Sequence, residues 1–170
     1  MKLDVETTID APANTVWTLL SAQFGDISDW CATVNSSTLL DGVNRYADAP
    51  ARGRHCETTF GPFDETFLSF DTEKMSLSYE AKSDKLPFFV KRLTNQFDVT
   101  ALDANRSRVV MRSGAEMTQP FRTIMGPMMK LQMGKALSNL VGELKHFAET
   151  GTPHPRKVKA QQKAARKAAA

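Results

Sequence analysis

Glu65 stands between Phe63 and Phe67 in the alternating stretch FDETFLSFD, and Asn95 stands between Leu93 and Phe97 in VKRLTNQFDVTAL. Each polar side chain shares a strand face with apolar neighbours, and a polar group carried inward needs a partner. In a low-dielectric cavity the Glu65 carboxyl would rise in pKa and could serve as a general acid or base. Its other fates are an ion pair with an arginine such as Arg54 or Arg112, or escape to solvent at a strand end. The ion pair is favoured, because pairing is the usual fate of such carboxylates. Tyr79, Ser113 and Cys56 are weaker candidates for orienting a ligand oxygen. His55 and Glu57 form a His-x-Glu pair whose parity opposes that of Cys56, Thr58 and Phe60, so they are expected to face outward. Zinc chemistry would need a further ligand. No Gly-rich phosphate loop, nucleophile elbow or dinucleotide fingerprint occurs. The sequence therefore predicts no metal and no cofactor.

Met117, Met125, Met128, Met129 and Met133 place five of the eight methionines in one stretch. Flexible, polarisable methionine suits either ordinary core packing or the floor of an apolar site. On the second reading Met125, Met129 and Met133 face a ligand, and Phe60, Phe67, Tyr79, Phe88 and Phe97 line the opposite wall, some of them as plain core. Phe88-Phe89, after Pro87, falls in a loop where paired aromatics call for an apolar cover.

These residues need elements to hold them. LDVETTI, residues 3–9, has the period of a half-buried strand. Pro12 opens a helix that carries Val16, Leu19 and Leu20 to about Ala22; Phe24-Gly25-Asp26 stops it, and Asp26 can cap a short second helix ending near Trp30. From Arg52 the period is two through a meander of antiparallel strands ending near Met117. Pro127 to Gly151 then reads as one long amphipathic helix, with Phe121 to Met125 as a separate turn. Gly134 and Gly142 inside it suggest close approach to a sheet or ligand. The expected fold is α+β: a curved antiparallel sheet wrapped around a long C-terminal helix, with two short helices after the first strand. A single helix cannot fill a wide curved sheet, so a cavity is expected between them.

The 170 residues, 41% of them hydrophobic, suit one domain, here residues 1–151. The net charge of +3 comes from residues 152–170, where Arg156, Lys157, Lys159, Lys163, Arg166 and Lys167 occur without an acid. That tail shows no apolar stripe and is expected to be disordered or a frayed, solvated helix, with weak contact to nucleic acid or anionic lipid as the alternative to a solubilising end. The acidic, alternating start lacks a secretory pattern, and no apolar run reaches membrane-spanning length, so a cytoplasmic location is expected. Cys31 and Cys56 read as small apolar residues.

The stretches IDAPANTVWTLLSAQFGDISDW, ETFLSFDTEKMSLSY and LSNLVGELKHFAETG resemble the START-like, helix-grip superfamily that includes polyketide cyclases, across roughly residues 3–151. The resemblance implies an internal pocket, short helices that cradle the long one, and Trp30 near the pocket mouth. It leaves the chemistry open, because the superfamily spans hydrophobic-ligand carriers, lipid-transfer modules and cyclases or dehydratases. The leading expectation is a binder of a lipid, quinone-like or polyketide-like molecule. The alternatives are a cyclase or dehydratase using an inward acid, and an interaction module acting through the basic tail.

Overall fold

The computed structural model describes residues 1–168. Strand β1 (Lys2–Ile9) leads into helix α1 (Ala13–Leu20) and a 3₁₀ helix (Phe24–Asp29). Six strands follow: β2 (Val34–Leu39), β3 (Gly53–Thr58), β4 (Gly61–Asp71), β5 (Ser76–Lys82), β6 (Val90–Ala101) and β7 (Ser107–Met117). Helices α2 (Phe121–Thr150) and α3 (Pro155–Ala168) close the chain. The strands make one antiparallel sheet in the order β1-β7-β6-β5-β4-β3-β2, which is the helix-grip arrangement expected from the sequence. β1 and β2 lie at opposite edges, so α1 and the 3₁₀ helix must carry the chain across the sheet. They bury Val16, Trp17, Leu20, Phe24 and Ile27 as they do so. Among the described residues no helix is long and apolar enough to cross a membrane.

Four features differ from expectation, each for a physical reason. Strand β2, VNSSTL, was not anticipated; it is an edge strand that buries only Val34, so it has little of the alternation that marks a strand. Phe121 to Met125 is no separate turn, because α2 runs unbroken through Pro127. That proline lacks the N–H that would bond the Thr123 carbonyl, which weakens this part of the helix. A Cβ at Gly134 or Gly142 would meet nothing within 4 Å, so neither glycine serves a close approach. Gly151 does end α2 as expected, in the left-handed conformation at φ 69°, its N–H donating to the Phe147 carbonyl at 2.8 Å.

The fourth difference is the tail, which is helical through Ala168 and anchored at its first turn. The Lys157 ammonium is buried and donates to the Val34 carbonyl at 2.7 Å. Arg156 lies 3.4 Å from the Glu143 carboxylate, and the His154 ring packs edge-on against His146 at 5.2 Å. Docking here relies on long cationic side chains reaching inward. A search for apolar spacing cannot detect that kind of anchor.

Candidate functional site

Register stacks the inner-face residues of the sheet into rows. One row runs Arg54, Glu65, Ala81, Leu93, Ala115, and the next runs Phe67, Tyr79, Asn95, Ser113, Leu3. Arg54 is therefore directly opposite Glu65. Its Nε and Nη2 each lie 2.6 Å from Glu65 Oε2, Nη1 donates to the Phe24 carbonyl at 2.6 Å, and the guanidinium sits 3.8 Å from the centre of the Phe24 ring. The two side chains are only 4% and 14% exposed. Gly53 makes this crossing feasible, since a Cβ there would stand 1.9 Å from the Glu65 carbonyl oxygen. Burial works against the Arg54 charge, but the Glu65 carboxylate beside it holds the guanidinium pKa above its ordinary value.

Between these rows and α2 lies a cavity of about 230 Å³. Glu65, Tyr79, Asn95 and Met111 wall it from the sheet, Cys31 and Val34 from the β2 side, and Met133, Leu137 and Leu140 from α2. Apolar surface dominates, with a few polar groups converging on it, as ligand sites usually have. Burial pushes the Cys56 thiol up to about 11, and moves the Cys31 thiol and the Tyr79 phenol upward as well. All three groups therefore stay protonated near neutrality. Glu65 enters as the ion-paired partner of Arg54.

The predicted site residues divide. Glu65, Tyr79, Asn95 and Met133 line the cavity, and Phe60, at the tip of the β3–β4 hairpin and mostly exposed, forms its rim. Trp30, Phe67 and Phe97 do not line it. Trp30 and Phe97 border a closed gap of only about 10 Å³ with Phe24, and the Phe67 ring packs on Phe24 at 4.4 Å. The aromatic side chains of α1 and the 3₁₀ helix fill that part of the inner face, which displaces Trp30 from the expected mouth. Phe88 is 82% exposed, and Met125 and Met129 are half-buried away from the cavity. His55 faces outward, bonded to Asp64 at 2.7 Å and Glu57 at 3.2 Å. Among the described residues, no group of three or more His, Cys, Asp or Glu side chains is placed to hold a metal.

A second groove of about 190 Å³, with more charged side chains at its border, adjoins the cavity and shares Thr33, Phe60, Ala136 and Leu140 with it. Lys135, Asn139, Arg156 and Glu143 border it. Glu143 is only 2% exposed; its Oε2 accepts the Ala32 N–H at 2.8 Å. The sequence reading missed it, although Glu143 falls three residues after Leu140 on the helix, a spacing that puts it beside the buried stripe. A larger concavity, about 490 Å³, lies elsewhere, against Lys2, Asp4, Arg92, Gln96 and Arg112. Its two arginines are already engaged, Arg112 with Asp98 and Arg92 with Glu80, so the apolar cavity between sheet and α2 is the better candidate.

Comparison with solved structures agrees with this architecture. The chain is similar to a START superfamily protein from Mycobacterium smegmatis, at TM-score 0.72 and 17% identity, covering 89% of this chain and 99% of the other. It is also similar to the ZhuI aromatase/cyclase from Streptomyces sp. R1128, at TM-score 0.66 and 14% identity, over 91% and 99% of the two chains. A truncated norcoclaurine synthase from Thalictrum flavum gives TM-score 0.64 and 14% identity, over 88% and 94%. At such identities the likeness shows the fold. No curated protein matches the sequence. The family model described as polyketide cyclase / dehydrase and lipid transport matches residues 1–146, and with the sheet, the long helix and the cavity between them it identifies the chain as a member of that family, within the START-like helix-grip superfamily.

Proposed function

We propose that this protein binds a small hydrophobic or amphipathic molecule in the cavity between the sheet and α2. The observation that carries the proposal is the cavity lining, in which an apolar wall built from the sheet, β2 and α2 surrounds Asn95 and Glu65, the latter held from behind by Arg54. At about 230 Å³ it is smaller than the ~300–1,000 Å³ of sites that enclose drug-sized ligands. It suits one ring or a short chain, with a polar end reaching the groove beside Lys135 and Asn139. Both guanidinium contacts fall on Glu65 Oε2, so Oε1 is the oxygen a ligand donor would meet. Native mass spectrometry of fresh protein, with organic extraction, tests this directly. A stoichiometric apolar companion is expected, and a chain that stays empty across a panel of apolar compounds would overturn it.

Family membership also supports a second reading, a cyclase or dehydratase in which Glu65 moves a proton. The Arg54 contact argues against it, because a carboxylate held by a guanidinium is poorly placed to donate. Glu65→Gln separates the two. Lost ligand orientation with no turnover in parent or variant fits a binder, whereas retained binding with turnover abolished only in the variant fits the enzyme.

A further inference from the structure

We propose that the N-terminal half of α2, together with Phe88, is a docking surface for an anionic lipid bilayer. Phe121, Ile124, Met128 and Leu131 follow one another at three- and four-residue steps and so form one stripe. Ile124 is 68% and Leu131 77% exposed, and Met128 is exposed beside them. Phe88 extends the stripe, its ring edge-on to Phe121 at 5.1 Å. The opposite side of the same segment carries Met125, Met129 and Met133, so apolar residues occupy both faces. Such a helix is normally buried in protein or in lipid. Met125, Met129 and Met133 are half-buried, whereas Ile124, Met128 and Leu131 are left in solvent.

Charge identifies the partner. From Met117 to Gly142 the chain has Arg122, Lys130 and Lys135 and no acidic residue. A second copy docking on this face would bring cation against cation, which disfavours self-association. An anionic bilayer offers both a negative surface for the cations and an apolar layer for the stripe, the combination that interfacial helices use. Because Met133 lines the cavity, docking here would bring the cavity roof to the lipid surface. The surface rests on exposure and charge, and stands whether or not the cavity holds a ligand.

The test is co-sedimentation of the full chain with vesicles of phosphatidylcholine, alone or mixed with phosphatidylglycerol, at low and high salt. Binding to the mixed vesicles is expected, weakened by salt. The exposed double variant Ile124→Ser/Leu131→Ser should bind about tenfold or more weakly while melting as the parent does. Lys135→Gln, which falls four residues after Leu131 on the same face, should lose about fivefold, and Arg122→Gln and Lys130→Gln, on the flanks, less. A tail variant, Lys159→Gln/Lys163→Gln/Arg166→Gln, should bind nearly as the parent. The proposal is overturned if the parent ignores anionic vesicles, if the Ser variant binds equally well, or if the tail variant alone abolishes binding.

Discussion

The two halves of α2 are one unbroken helix, yet they treat their apolar residues in opposite ways. In the C-terminal half Leu137, Val141 and Leu144 are buried, along with Glu143. In the N-terminal half no residue from Phe121 to Met133 is buried, although this is where the methionines concentrate. Helical spacing is similar in both halves, so spacing cannot be what decides burial. What decides it is the surroundings: the C-terminal half roofs the cavity through Leu137 and Leu140, buries Val141 and Leu144 in the core and receives α3 through Glu143, whereas the N-terminal half reaches the cavity only through Met133 and leaves Ile124, Met128 and Leu131 in solvent.

That contrast can be broken or sharpened by substitution. The largest effect should come from Arg54→Met, which strands the Glu65 carboxylate in the cavity wall across from Leu137 and Leu140; a loss of about 3–5 kcal/mol is expected in chemical denaturation. Leu144→Ala, in the packed half and fully buried, should cost about 2–5 kcal/mol. Glu143→Ala leaves the Ala32 N–H without its acceptor and Arg156 without its partner, which predicts a loss of about 1–3 kcal/mol and faster proteolysis within α3. Leu131→Ala, in the exposed half, should change stability by no more than about 0.5 kcal/mol. If Leu131→Ala cost as much as Leu144→Ala, the two halves would not differ and the docking surface would lose its basis.

The smallest effect lies on the outer face of the sheet, away from α2. Hydrogen bonds to Asp64 and then Glu57 raise the His55 pKa above its ordinary value. A group raised on folding contributes its stability fully below its unfolded pKa and loses it as pH climbs through the folded one. Because the site is exposed, the contribution is small. An NMR titration should find the His55 midpoint above that of a free imidazole, and Asp64→Asn should bring it back down.

Much of the fold was legible because it is written in period. β1 alternates, the meander alternates, and Leu140, Leu144 and Phe147 recur at helical steps. β2 was illegible because an edge strand buries one residue and leaves no alternation to find. At the site, parity placed Glu65 and Asn95 on the inner face, and the usual fate of a buried carboxylate pointed to an arginine, Arg54 or Arg112; only the β3–β4 register chooses Arg54. Parity could not divide the inner face into filled and empty regions. Phe67 and Tyr79 share one row of the sheet, yet Phe67 packs under Phe24 while Tyr79 walls the cavity. That division depends on where α1 and the 3₁₀ helix lie. The anchoring of α3 was hidden for a related reason, because Lys157 buries a charge on a backbone carbonyl and leaves no trace in the hydrophobic pattern.

The most direct test of the central claim is methionine-methyl NMR during titration with indole, a single-ring apolar probe. The account predicts that Met111 and Met133, which line the cavity, shift in a saturable way while Met128 on the exposed stripe stays still. Shifts at Met128 with Met111 unmoved would place the ligand on the surface and contradict an internal binding site.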